Sequence, residues 1–271
     1  LEEIMLNVGP LAPWMEEAAD LIAAGRRDTR TIGDLPESCR LTSYDQIYPI
    51  MEMVHDRLNW QTVGWKVGAA SKEIQGKEGL PGPAGGRIYA HGLHDSPATL
   101  GERAFIKFRL CESEFMFRLA RDLPPRAAPY TKEEVTEAVD LLYPVIEIGD
   151  SVFANWYEST RYFGPPADNV GGAHVVRGKP TADWRGLDLP NHPIELWHNG
   201  KYVRTGRGEA AMGHPLESFA WMANLRSKMG DGLRAGEYVS TGTCTGHLFA
   251  QRGDVVKADF GPLGVVQVTF A

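Results

Sequence analysis

The sequence predicts an α+β protein, rich in β-structure, with peripheral helices and a helical N-terminal segment. Three observations support this. Helical periodicity is concentrated in the first 60 residues. From Gly149 onward, short β-like runs alternate with Gly and Pro. No repeat of fixed period and no low-complexity tract interrupts the 271 residues. The expected division is a helical segment over 1–60, packed on the core, and a β-rich catalytic domain over 61–271.

The elements follow in order. Residues 11–24 read as an amphipathic helix. Residues 43–58 read as another, with Asp45 assisting its start and Ile47, Ile50, Met51 and Val54 as its buried stripe. Residues 62–67 suit a strand. The polar stretch 71–86 is rich in Gly and Pro and is expected to hold no regular structure for long. It reads as a binding lid or as a solvated connector. Residues 105–119 form the next strand. A helix then opens on the capping box Thr131-Lys-Glu-Glu134 and continues through Val135, Val139 and Leu142 on one face. Further strands are expected at 174–176, 194–198, 238–240, 255–260 and 265–270. A helix over 215–229 has Pro215 at its start and Gly230 just past its end.

Composition narrows the function. The net charge of −7 argues against nucleic-acid binding but not against an anionic substrate, because a bound cation reverses the sign locally. Three cysteines without CxxC spacing suit a reduced, cytoplasmic protein lacking a disulfide framework. No apolar run approaches the ~20 residues of a membrane span. Residues 1–17 lack the basic start and apolar core of a signal peptide.

The chemistry concentrates in one strand. At period two, Ile106, Phe108, Leu110, Glu112, Glu114 and Met116 share a face, so two carboxylates interrupt an apolar row. The buried-looking run 143–149 adds Glu147. Three such carboxylates without matching histidines favour a hard cation, Mg²⁺ or Mn²⁺. The competing reading has the glutamates facing water while Phe105, Cys111, Phe115, Phe117 and Leu119 pack. Lys66 lies among apolar residues and glycines, either as a snorkelling lysine or as a cation for a substrate carboxylate or enolate. Residues 241–246, Thr-Gly-Thr-Cys-Thr-Gly, form either a tight turn or an anion-facing one. Cys244 reads as a small core thiol and the histidines as scattered. Serine-hydrolase, dinucleotide and phosphate-loop motifs are absent.

Seven segments taken in order resemble the fumarylacetoacetate hydrolase superfamily. They are GWKVGAAS (64–71), CESEFMFRLARDLP (111–124), PVIEIGDS (144–151), DNVGGAHVVRG (168–178), GHPLESFAWMAN (213–224), LRAGEYVSTGT (233–243) and GDVVKADFGPLGVVQVTF (253–270). The likeness is to its branch of 2-oxopent-4-enoate hydratases and 4-oxalocrotonate decarboxylases. The resemblance implies a mixed β-sheet roll, a homo-oligomer, a divalent metal held by Glu112, Glu114 and Glu147, and Lys66 as the active-site lysine. It also implies a substrate side lined by Thr241, Gly242 and Thr243, with Asp168 and Asn169 as structural support.

Two departures stand out. Where this branch carries Gly-Val-Asp-Glu-Pro after the lysine, the chain has Gly79-Leu-Pro-Gly-Pro83. Where a small hydroxyl should follow the Asp-Asn pair, it has Gly171 and Gly172. Glu73 is then the candidate proton-transfer residue, and Glu78 reads as a solvated lid residue. The expected activity is hydration of a 2-oxo or 2-hydroxydienoic acid from aromatic or related catabolism, through an enolate stabilised by the cation. Decarboxylation or C–C bond hydrolysis of a related 2-oxo acid is the alternative, and a non-catalytic 2-oxo acid binder the second.

Overall fold

The computed structural model describes residues 12–154, 156 and 163–271. Helix α1 (Pro13–Arg27) starts two residues later than expected, and Leu11 lies outside the described residues. Helix α2 (Ile47–Leu58) follows a 3-10 turn opened by the Ser43/Gln46 capping box. Next come β1 (Thr62–Gly68), α3 (Lys72–Glu78), β2 (Ala84–Tyr89), β3 (Leu93–Asp95), β4 (Ala98–Leu100) and β5 (Leu110–Leu119). They are followed by α4 (Lys132–Ala138), β6 (Val139–Gly149), α5 (Gly164–Ala167), β7 (Gly172–Arg177), β8 (Pro193–His198) and β9 (Lys201–Arg207). Helix α6 (Pro215–Met229), β10 (Tyr238–Ser240), β11 (Leu248–Phe249), β12 (Val255–Asp259) and β13 (Val265–Phe270) complete the chain. Among the described residues no helix is long and apolar enough to cross a membrane.

Three expectations need correction. The stretch 71–86 is not irregular. Ser71 caps α3 by accepting from the Ile74 N–H, Ile74 and Gln75 are buried, and Gly79 ends the helix in the left-handed region. The rest of that stretch leads into β2. The helix opened by Thr131 stops at Ala138, so Val139 and Leu142 belong to β6 instead. Pro144 bars the helix from continuing, and pairing with β5 satisfies this backbone in a sheet. Finally, residues 105–109 precede the strand proper. The N–H groups of Ile106, Lys107 (2.8 Å) and Phe108 (2.7 Å) converge on the Asp150 carboxylate.

The strands form two sheets. The larger runs β2-β1-β10-β5-β6-β7-β3, with β11 added on β5, and the smaller runs β4-β13-β12-β8-β9. Parallel pairs (β1 with β10, β3 with β7, β4 with β13) mix with antiparallel ones. The larger sheet curls. Asn169, just before β7, accepts from Arg87 N (2.7 Å) and donates to Arg87 O (3.0 Å) on β2, far along the strand order. One contiguous apolar core joins α1 and α2 (Ile22, Ile47, Ile50) to sheet residues such as Phe115, Phe117, Val256 and Phe270. Full burial of each such side chain contributes about 1.5–3 kcal/mol.

The N-terminal helix is also tied by charge. Arg26, at the end of α1, donates to Asp168 Oδ1 (2.5 Å), Asp150 O (2.9 Å), Asp168 O (3.1 Å) and Gly172 O (3.3 Å). Asp168 Oδ2 accepts from Ser151 Oγ (2.7 Å) and Val152 N (2.9 Å). Both side chains of the pair are buried. Removing only the cation leaves a buried carboxylate without its counter-charge. Arg26→Met is therefore expected to destabilise the protein by about 3–5 kcal/mol in urea unfolding.

Candidate metal centre

The acidic cluster follows from strand geometry. Alternation along β5 puts Glu112 and Glu114 on one face. The antiparallel register with β6 sets Glu147 directly opposite Glu112, so it projects to the same side. One oxygen from each of the three carboxylates lies within 4.8 Å of the others. Glu114 and Glu147 are 1% and 2% exposed, and the Glu112 side chain 13%. The water-facing reading of these glutamates is thereby excluded.

Like charges opposed across a strand pair in a dry place repel, and the surroundings answer residue by residue. Glu114 Oε2 accepts from Ser240 Oγ (2.6 Å) and from the Gly242 N–H (2.9 Å). Gly242 has φ +97°, and a Cβ there would sit 2.5 Å from that of Ala70, so the N–H is presented by a turn that only glycine fits. His247 Nε2 lies 3.1 Å from Glu112 Oε1. Lys66, on β1, is 4% exposed and does not snorkel. Its Nζ donates to Val170 O (2.6 Å) and lies 3.0 Å from Glu147 Oε1.

Electrostatics divides the three acids. Burial, then Glu147 and Glu112, drives the Glu114 carboxyl well above the ordinary range. Burial also raises Glu147, with Lys66 opposing. Burial would raise Glu112 too, but His247 and Lys66 bring it below its usual value. For Lys66, burial disfavours the charge, yet Glu147 and Glu112 outweigh it and the ammonium is raised. In the same way, Glu112 lifts His247 against its burial.

The carbonyl that holds Lys66 belongs to a strained turn. Asn169 and Val170 take φ +54° and +49°, followed by Gly171 at +68°. A β-branched residue there is an outlier, at a cost on the order of 1–3 kcal/mol. Asn169's bonds to Arg87 and the Arg26–Asp168 pair hold the turn, in keeping with the supporting role expected of Asp168 and Asn169. At Gly171 a Cβ would fall 1.5 Å from the Trp156 ring, so the indole occupies the place of the missing side chain.

A narrow cleft opens on the cluster. Its wall includes apolar Ile74, Leu110, Trp156 and Val170, and polar Lys66, Glu78, Thr243 and His247. Thr243 thus lines the cleft, whereas Thr241 and Gly242 lie behind it. The Thr241 hydroxyl donates to Phe115 O (2.9 Å), and the Gly242 N–H is taken by Glu114. Glu73 and Glu78 exchange the places expected of them. Five residues apart, they point about 140° from each other around α3. The Glu73 side chain is 75% exposed and accepts from Lys77 Nζ (2.7 Å), while Glu78 turns inward to the cleft. Ser240 and His247 carry no local spacing that marks them. Cys244 is a buried thiol, as expected.

The raised acids set the pH response of the metal-free protein. A carboxyl whose folded pKa is raised keeps its proton while the unfolded chain gives it up, so stability falls as pH climbs above the ordinary 4.5. The depressed Glu112 acts oppositely, but below 4.5. After chelation, Tm is expected to fall from pH 5 toward 8, and Glu114→Gln to flatten the fall. Scanning calorimetry across pH with and without Mg²⁺ checks this.

No protein-family model matches the chain. It is 30% identical over 258 residues to 2-keto-4-pentenoate hydratase of Paraburkholderia xenovorans (strain LB400), covering 94% of each. It is 31% identical over 137 residues to 4-oxalocrotonate decarboxylase of Pseudomonas putida, 51% of each chain. Among solved structures, 4-oxalocrotonate decarboxylase from Pseudomonas putida G7, complexed with magnesium and adipate, superposes with a TM-score of 0.87 at 22% identity. That match covers 98% of this chain and all of that one. A fumarylacetoacetate hydrolase family protein from Yersinia pestis CO92 shares the fold at a TM-score of 0.57 and 16% identity, over 78% of this chain and 94% of that one. The curled mixed sheet is thus a fold shared with these solved structures, and the identity held over 94% of both chains establishes that the chain belongs to the 2-keto-4-pentenoate hydratase family.

Proposed function

We propose that this protein is a divalent-metal-dependent hydratase, a lyase that adds water to a 2-oxo or 2-hydroxydienoic acid by way of an enolate. The observation that carries this reading is the buried cluster of three carboxylates with a protonated lysine beside it. Hard oxygen donors without sulfur suit Mg²⁺ or Mn²⁺, and the raised Glu114 and Glu147 are the acids that a bound cation would relieve. Glu112, Glu114 and Glu147 would hold the ion. When bound, it supplies the positive charge that polarises the 2-oxo group and offsets the enolate.

The chain's own residues do the rest. Lys66 keeps its proton on Nζ, fixed by Val170 O, and adds a second positive charge to the substrate's acid end. Thr243 offers a hydroxyl at the wall. Ile74, Leu110, Trp156 and Val170 exclude water and suit a short apolar tail. Decarboxylation or C–C hydrolysis would use the same charge sink, and the likeness to a decarboxylase over half the chain keeps decarboxylation as the second reading. Hydration is favoured by the length of the hydratase match and by the wall. Its two cations, Lys66 and His247, already face Glu147 and Glu112, so neither is placed to receive a distal carboxylate. The setting that fits is the cytoplasm, with the three cysteines buried as free thiols. A homo-oligomer would cover Tyr202 and Val265, which are 53% and 46% exposed.

Calorimetric titration of oxalate, with and without Mg²⁺, tests this alongside turnover of 2-keto-4-pentenoate. Binding is expected only with the metal, and Glu114→Ala should weaken it on the order of 100-fold. Binding indifferent to metal and mutation would sink the proposal. Metal-dependent binding without turnover of any 2-oxo acid would make the protein a binder rather than an enzyme.

A further inference from the structure

Resting on the hydratase reading, we propose that Glu78 is the catalytic acid and base, carrying the protons that hydration moves between water and the substrate's carbon chain. The loop after Lys66 lacks an acid at Gly79-Leu-Pro-Gly-Pro83, and α3 supplies one from the turn before. Glu78 is the last residue of that helix. Ser71 fixes its start, buried Ile74 fixes its side, and Gln75 Nε2 donates to Ala69 O (2.9 Å). Half-buried, Glu78 lines the cleft that Lys66, Glu112 and Glu114 also line.

Elimination points the same way. Glu112, Glu114 and Glu147 are assigned to the ion, and Lys66 and His247 are each held against one of them. No hydrogen bond or ion pair to a described residue occupies the Glu78 carboxyl. Burial, then the charge of Glu112, pushes it up to about 7 against the opposing charges of His247 and Lys66. Burial, the larger cause, does not depend on the charge of Glu112, and a carboxyl raised by burial suits a group that gives and takes a proton.

The steps balance without a redox partner. The dienol loses its 2-hydroxyl proton on binding. Glu78 in its acid form protonates C5. The enolate oxygen's electron pair re-forms the C2 carbonyl, and the C2–C3 double bond moves to C3–C4. Water oxygen then bonds to C4 while the Glu78 carboxylate takes the water proton, and the displaced pair returns to the C2 enolate. Glu78 passes this proton to C3 and is reprotonated by solvent, replacing the proton released on binding. One water has been added, giving a 4-hydroxy-2-oxo acid.

The experiment compares wild type, Glu78→Gln and Glu78→Asp, each loaded with Mg²⁺. Oxalate affinity is read by calorimetry, kcat by turnover, and deuterium incorporation at C5 by NMR in D₂O. Glu78→Gln is expected to keep oxalate affinity within about threefold and lose ~10²–10⁴ in kcat, the range of general acid–base catalysis, with deuterium incorporation falling in parallel. Glu78→Asp should recover part of both. A Glu78→Gln enzyme that turns over and exchanges like wild type overturns the assignment and leaves the metal centre standing. A wild type whose oxalate binding ignores Mg²⁺ overturns both.

Discussion

Three carboxylates crowded into a dry strand pair are the constraint around which this molecule is organised. Their register cannot be relaxed. A one-residue slip of β6 against β5 would turn Glu147 to the opposite face and bury its neighbours wrongly. The repulsion must therefore be answered from outside the pair. Lys66 reaches in from β1, Ser240 and the Gly242 N–H from the end of β10, and His247 from the approach to β11. Each answers one carboxylate, and together they still leave Glu114 reluctant to ionise. That residual frustration marks a site prepared for a further positive charge rather than a finished salt-bridge network.

The lysine is itself held by a second layer of support. Its ammonium leans on the carbonyl of Val170, in a backbone conformation that valine resists. The turn persists because Asn169 is bonded to β2 and Asp168 is locked by Arg26 of α1. A helix in the N-terminal segment thus helps set the position of a charged group in the cleft. The helical segment and the sheet also share one apolar core.

The parts legible in the sequence were those with a short-range signature. Glu112 and Glu114 announce themselves by interrupting an apolar alternation, and the run 215–229 by its Pro and Gly ends, which match the helix observed. Glu147 reads as buried, but its placement opposite Glu112 depends on pairing that no local pattern encodes. Ser240 and His247 were invisible for the same reason. Gly and Pro signal a loop across 71–86, yet two buried residues and a serine cap suffice there for two turns of helix, and Glu73 and Glu78 trade places as a result. Once that helix exists, its pitch alone decides which glutamate faces the cleft. Val139 and Leu142 fit a helical face by spacing, and sheet pairing overrode it.

In the larger sheet, β10 stands between the strand that carries Lys66 and the strand that carries Glu112 and Glu114. Residues 64–66 pair with 238–240, and Ser240 pairs in turn with Met116. During synthesis the carboxylates of β5 and β6 can meet as soon as those strands emerge, long before β10 exists to join the lysine's strand to them. The lysine's other hold, the Val170 carbonyl in the turn that Asn169 bonds to β2, also precedes β10 in the chain. Lys66 can thus meet the anions from the far side of the curl, and the parallel closure of β10 on β1, distant in sequence, comes last and is of the slow kind.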